Sequence, residues 1–182
     1  MTEAELIERA RAGEAGAWEA LVREHQQPIF RLAFLLLGDA AEAEDVAQET
    51  LLRAYGALDR FDPARPLRPW LLRIAANLAR NRLRSLRRAF AALRRLADPA
   101  PALLDESAGW EGRTLWAAVR RLAIADQEVL YLRFFLDLSE AETARALSVA
   151  QGTVKSRTSR ALGRLRGMID REFPDLRAER EL

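Results

Sequence analysis

Apolar residues return at every third or fourth position along most of the chain, the spacing of amphipathic helices, and no stretch shows the strict alternation of a half-buried strand. Thr2 and Glu5 can form a capping box for a short first helix, which Gly13 and Gly16 bring to an end. Trp18, Leu21, Val22, His25, Ile29, Leu32 and Leu36 then mark a long helix, with Pro28 inside it as a source of bending. Gly38 closes that helix, and Asp39 with Glu42 opens another whose Val46, Leu51, Leu52, Tyr55 and Leu58 are expected to be buried on one face. The stretch FDPARPLRP, residues 61–69, holds three prolines and cannot be regular structure. Trp70, Leu71, Ile74, Leu78 and Leu83 predict one more helix beyond it.

From Leu96 to Glu111, prolines, small residues and acids follow one another without periodicity, and the segment reads as a flexible linker. Helices are predicted again over Leu115–Leu122, Asp126–Phe135, Ser139–Leu147 and about Gln151–Asp170, with Asp126 as an N-cap and Ser139 with Glu142 as a second capping box. The expected fold class is therefore all-α, with two small helical domains at residues 1–95 and 112–182 joined by a linker at 96–111. The tail REFPDLRAEREL is expected to be a helix end with a frayed terminus.

Composition narrows the function. An apolar fraction of 49% in 182 residues is enough for real cores. The absence of cysteine excludes disulfides and thiolate metal sites, and His25, the single histidine, leaves no cluster for zinc, so no metal or cofactor is expected. The N-terminus MTEAELIERA lacks the features of a secretion signal and no apolar run approaches the ~20 residues of a membrane span, which makes a cytoplasmic protein the simplest reading. Net charge is only +2, but it is strongly segregated. Five acids and no base lie between Asp39 and Glu49, seven arginines and no acid between Arg80 and Arg95, and five bases and no acid between Lys155 and Arg166. One acidic and two basic blocks on one chain favour binding to a polyanion over ordinary solvated helix faces.

The last two predicted helices, separated by Ser148-Val149-Ala150, have the layout of a helix-turn-helix, whose second helix enters the DNA major groove. Val154, Ala161, Leu162 and Leu165 fall on one face of that helix and can pack on Ala144 and Leu147, while Lys155, Ser156, Arg157, Ser159, Arg160 and Arg164 fall on the other. Basic residues in a first turn oppose the helix dipole, and a cost of that sign points to an anionic ligand. Gly152 and Thr153 keep the start of the helix slim enough for its N–H groups to approach phosphates.

The stretch LYLRFFLDLSEAETARALSVAQGTVKSRTSRALGRLR resembles region four of the sigma-70 family, of the small extracytoplasmic-function (ECF) type. The stretches GDAAEAEDVAQETLLRAYGALDRF and RPWLLRIAANLARNRLR resemble region two of the same family. The resemblance implies a transcription factor that binds core RNA polymerase and directs promoter recognition, DNA melting and initiation, with an anti-sigma factor as a further partner of the kind common in the family. It assigns Asp45, Gln48, Glu49 and Leu52 to the polymerase surface, where acids beside an apolar neighbour suit a basic helical partner. It places the minus-ten element on the loop Asp62 to Arg68, including Arg65, and on Arg73, Asn77, Arg80, Asn81 and Arg84, with Asn77 matching the family's strand-contacting asparagine. It places the minus-thirty-five element on Arg133, Thr153, Lys155, Ser156, Arg157, Ser159 and Arg160. Trp70 is read as core rather than as a stacking wedge. The loop departs from the commoner family pattern of Gly-Asp, small residues and Phe by having Pro63, Ala64, Arg65, Pro66 and Leu67, which leaves its base preference open.

The alternative is a helix-turn-helix regulator that binds DNA without polymerase, its N-terminal helices serving dimerisation or a ligand. An enzyme has little support: there is one histidine, no cysteine, and no GxGxxG, phosphate-cradling or HExxH arrangement.

Overall fold

A computed structural model describes residues 1–93 and 110–172. The described residues form helices and turns with no strand, grouped into two units that are treated one at a time.

The first unit contains α1 (Glu3–Arg11), α2 (Ala15–Leu37), α3 (Ala40–Ala57) and α4 (Leu67–Leu93), with a single 3₁₀ turn, Leu58–Arg60, after α3. Helix α2 is its centre and packs on each of the other three. The reason lies in its second half, where Ile29, Leu32, Ala33, Leu35, Leu36 and Leu37 are all buried: a helix apolar almost all round has to be surrounded. It continues through Pro28 and stops where Gly38 takes a left-handed φ of 74° and donates its N–H to Phe34 O. Asp39 then caps α3, its side chain accepting from Glu42 N at 2.9 Å. The expected capping box of Thr2 and Glu5 is present on α1.

Helix α3 departs from the expected pattern. Its buried stripe is Ala43, Val46, Ala47, Thr50 and Ala54, and only Val46 and Leu58 of the predicted set are buried. Leu52 is 69% exposed and Tyr55 52% exposed. Small residues at i, i+3, i+4, i+7 and i+11 let the neighbouring helices come close, and this turns the larger side chains outward. Helix α4 is built on the same plan, burying Leu71, Leu72, Ala75, Ala76 and Ala79.

The C-terminal helices are α5 (Trp110–Arg120), α6 (Ile124–Leu130), α7 (Glu140–Leu147) and α8 (Gln151–Glu172), with a π-helical turn, Tyr131–Phe135, continuing α6. The predicted linker lies outside the described residues apart from Trp110 and Glu111, which already belong to α5. The expected tail is outside them beyond Glu172. Asp126 is not an N-cap: α6 starts earlier, after Ala123, and Asp126 is buried at 4% exposure within the first turn. Gln127 Nε2 donates to Arg120 O at 2.9 Å and Leu122 O at 2.8 Å, satisfying carbonyls left over at the end of α5. The capping box of Ser139 and Glu142 forms as expected, with Glu142 N donating to Ser139 Oγ at 3.2 Å and Ser139 N donating to Glu142 Oε2 at 2.8 Å. Asp137 and Ser148, on either side of α7, are the two non-glycine residues with positive φ among the described residues, at 53° and 55°.

A Gly38→Ala substitution places a Cβ on a left-handed backbone. It is expected to lower unfolding free energy by about 1–2 kcal/mol, read by urea denaturation, with the helix content of the folded state unchanged.

Candidate nucleic-acid interface

Because its alanine stripe is buried, α4 directs its polar residues outward. Arg73, Asn77, Asn81 and Arg84 are exposed and Arg80 is half-buried. Arg80 donates to Asn77 Oδ1 and Arg84 to Asn81 Oδ1, so the two asparagines and two arginines form pairs one turn apart. From Arg73 to Arg84 the helix rises about 16 Å, enough to follow several phosphates of one strand.

The loop before α4 is organised by Asp62. Its Oδ1 accepts from Ala64 N at 3.0 Å and its Oδ2 from Arg65 Nε at 3.1 Å, while Asp62 O accepts from Arg65 N at 3.0 Å. This Asx turn leaves the Arg65 side chain 73% exposed. Phe61 is buried and Trp70 half-buried, their ring centroids 4.7 Å apart in a tilted contact. Trp70 is therefore a packing residue more than a free stacking surface.

On α3, Asp45, Gln48 and Leu52 are exposed and Glu49 is half-exposed, accepting from Arg53 Nε at 2.6 Å. All four line a cleft of about 550 Å³ between α3 and α4, together with Asn81 and Arg82. Arg82, which the sequence did not single out, donates to Glu42 and lies 3.7 Å from Asp45. Sequence offers little hint of it, since its partners are forty residues away and it sits within a block read as a DNA track. Tyr55 was likewise missed as a surface group; it packs beside Trp18 with ring centroids 5.1 Å apart.

In the second unit α8 buries Val154, Ala161 and Leu165 and meets α6 and α5 most extensively. Leu162, expected on that face, is 38% exposed. Lys155, Ser156, Ser159 and Arg160 are exposed, and Thr153 and Arg157 are half-buried at the edges of the apolar stripe. Arg160 Nε donates to Ser156 O at 3.2 Å, and Ser156 Oγ donates to Thr153 O at 3.2 Å, so both polar side chains lie along their own helix. Two arginines of the predicted set act within the unit. Arg164, expected on the DNA side, donates to buried Asp126 Oδ2 at 2.5 Å. Arg133 is half-buried and donates to Leu138 O, bracing the turn after the π-helical segment.

His25 is buried, with Nε2 3.2 Å from Glu3 Oε1, and Glu24 completes a group whose ligand-type atoms lie within 4.8 Å of one another. Glu3 also accepts from Leu67 N at 2.9 Å. His25 beside it, more than any other influence, holds the Glu3 carboxyl below its ordinary pKa. The sequence supplied no second histidine here, but the fold supplied carboxylates.

Two helical units, one presenting an arginine- and asparagine-faced helix and the other a helix-turn-helix with a basic outer face, define a DNA-binding regulatory protein. Sequence comparison gives the family. The Sigma-70 region 2 pattern matches residues 21–89 and the Sigma-70, region 4 pattern matches residues 112–165. The ECF RNA polymerase sigma factor SigL of Mycobacterium tuberculosis is 37% identical over 164 residues, spanning 88% of this chain and 93% of its own. The ECF RNA polymerase sigma factor SigW of Bacillus subtilis is 30% identical over 187 residues, spanning 90% and 94%. Among solved structures, CnrH in complex with the cytosolic domain of CnrY superposes with a TM-score of 0.71 at 26% identity, covering 93% of this chain and 98% of that one. The chain belongs to the sigma-70 family and is a sigma factor of the ECF type. No helix among the described residues is long and apolar enough to cross a membrane.

The Arg164 pairing separates the α8 residues that hold the fold from those on its exposed face. Arg164→Ala strips a buried carboxylate of its partner and is expected to lower the thermal stability of the chain, by about 1–3 kcal/mol. Lys155→Ala, on the exposed face, should leave the melting temperature within error. Both are read by circular dichroism.

Proposed function

We propose that the three charge-segregated surfaces divide the work of a promoter-specificity subunit. The exposed face of α3, with Asp45, Gln48, Glu49 and Leu52, docks on core RNA polymerase. The segment Asp62 to Arg68, whose last two residues open α4, and the α4 residues Arg73, Asn77, Arg80, Asn81 and Arg84 bind the minus-ten element and its displaced strand. The outer face of α8, with Thr153, Lys155, Ser156, Arg157, Ser159 and Arg160, enters the major groove at the minus-thirty-five element, and Arg133 acts there indirectly through the turn it braces. Residues 1–95 and 112–182 serve as the two functional domains. The cytoplasm, where polymerase works, is the expected compartment, and an anti-sigma protein is a further partner; CnrH, similar in fold and sequence, is bound to the cytosolic domain of CnrY.

The observation that carries this reading is the division on α3 itself. A small-residue stripe holds the helix to its neighbours, while a large apolar side chain, Leu52 at 69% exposure, stands in water among carboxylates. Leucine exposed beside acids suits a protein partner that supplies bases at its rim and an apolar contact at its centre. The acids steer association; Leu52 gains by desolvation. On α8 the same division presents lysine, arginine and serine to a ligand that is negatively charged and lined with hydrogen-bonding edges.

The deciding experiment is transcription in vitro with purified core polymerase, with start sites mapped. Specific starts should require both the chain and the polymerase. Specific binding of the same promoters by the free chain, at the same affinity, would show that polymerase is not needed for this chain to select them and would overturn the proposed division of work.

Asp45→Arg with Glu49→Arg is expected to leave the helices folded and to weaken binding to core polymerase, because the reversed charges repel a basic partner. Unchanged affinity at matched ionic strength would return this face to solvent. For α8, Arg160→Ala should cost about 1–3 kcal/mol and relax preference at one minus-thirty-five position if the guanidinium reads a base. Lys155→Ala should weaken all promoters alike and lower the salt dependence of holoenzyme binding by about one unit of slope, the mark of a lost phosphate contact.

A further inference from the structure

Helix α1 lies outside the residues matched by the region 2 pattern, yet it reaches both ends of the loop that precedes α4. At the near end, the Arg11 guanidinium donates through Nε and Nη2 to Leu58 O at 3.1 and 3.0 Å, and through Nη2 to Phe61 O. Its remaining nitrogen, Nη1, donates to Glu8 Oε1 at 2.7 Å, which fixes the fork from behind. Its side chain is only 19% exposed. At the far end, Glu3 Oε2 accepts from the N–H of Leu67, the first residue of α4, while Oε1 faces buried His25.

The charges suit their positions. Leu58 and Phe61 present carbonyls where α3 and its 3₁₀ turn end, the negative pole of a helix; Leu58 O already accepts from Phe61 N at 3.0 Å, and Arg11 brings a cation to both. The N–H of Leu67 is at the positive pole of α4, and Glu3 brings an anion to it. A nine-residue helix is unstable alone, and α1 is held in place by burial of Leu6, Ile7 and Ala10. Both anchor points of the loop are thus referred to a single rigid element.

We propose that α1 is a two-point clamp, and that Arg11 and Glu3 are positioning residues which fix the spacing of the loop's ends and so determine how selectively the loop reads the minus-ten element. The inference rests on the proposed role of that loop in base reading. Residues 62–66 contain two prolines whose φ is preset, so the shape of the loop follows from where its ends are held. Arginine is required at the near end because a planar fork spans two carbonyls at once, which a lysine ammonium does not. Neither residue touches DNA in this scheme; both act through the loop.

The test uses holoenzyme assembled from core polymerase and the full chain, with initiation measured on promoters that differ by one base at each minus-ten position. Arg11→Ala and Glu3→Ala should each keep wild-type affinity for core polymerase. Each should narrow the ratio between best and worst base at the position read by the loop by about tenfold, within the range of discrimination that one base-reading contact supplies. Arg11→Lys should recover only part of the ratio. A fall of equal size on every promoter, or a wild-type ratio in either alanine variant, overturns the proposal, because a merely structural helix lowers all promoters alike. If Arg11→Ala does not fold, Arg11→Lys is held to the same criterion. A loop variant, Pro63→Gly with Arg65→Gly, separates the two levels. If it narrows the ratio while the α1 variants do not, the clamp alone is refuted. If it leaves the ratio intact, the loop is not the reader and the clamp falls with it.

Discussion

The packing of α3 and α4 on α2, through buried stripes in which alanine recurs, is the constraint on which the first unit depends. Ala43, Ala47 and Ala54 on α3 and Ala75, Ala76 and Ala79 on α4 are all buried. Small side chains lose little rotamer entropy on burial and let helix axes draw near, but each covers little apolar area. The larger share of burial comes from α2, with Leu21, Ile29, Leu32 and Leu36 each at most 2% exposed. A central leucine-rich helix with alanine-faced neighbours leaves those neighbours with wide polar arcs. On α4 the arc is cationic and carboxamide-bearing; on α3 it is acidic with exposed leucine and tyrosine.

Internal ion pairs keep these surfaces from being simple charged blocks. Arg82 neutralises part of the α3 acid cluster by pairing with Glu42 and approaching Asp45. Arg164 compensates Asp126 inside the C-terminal unit. Of the bases in the two arginine-rich stretches, some therefore hold the fold and others face outward, and the count of charges along the chain overstates what is offered to a ligand.

The helical architecture could be read in advance because every long element carries its own periodicity and several carry their own punctuation: the Thr2/Glu5 box, Gly38, Asp39 and the Ser139/Glu142 box all act where the sequence placed them. The failures share a cause. The periodicity put Leu52 and Tyr55 in the core because they are large and apolar, while the resemblance put Leu52 on an outer face; Leu52 and Tyr55 are exposed because small residues form the buried stripe of α3, a feature visible only once the neighbouring helices are in place. Asp126 looked like a cap because aspartate often is one, whereas its role comes from an arginine thirty-eight residues later. Arg11 and Glu3 gave no signal at all, since their partners are backbone groups whose positions depend on the finished fold.

The left-handed backbone at Asp137 and Ser148 has a consequence for how the exposed face of α8 can diversify. These two residues bracket α7 and fix the direction of the chain as it enters and leaves the helix before α8. The course of the polypeptide into α8 is thereby written into main-chain torsions and into the buried Val154, Ala161 and Leu165. The exposed side chains at 155, 156, 159 and 160 take no part in setting it. Course and surface are thus carried by separate residues, and a lineage can replace the exposed side chains of α8 without disturbing the backbone that presents them.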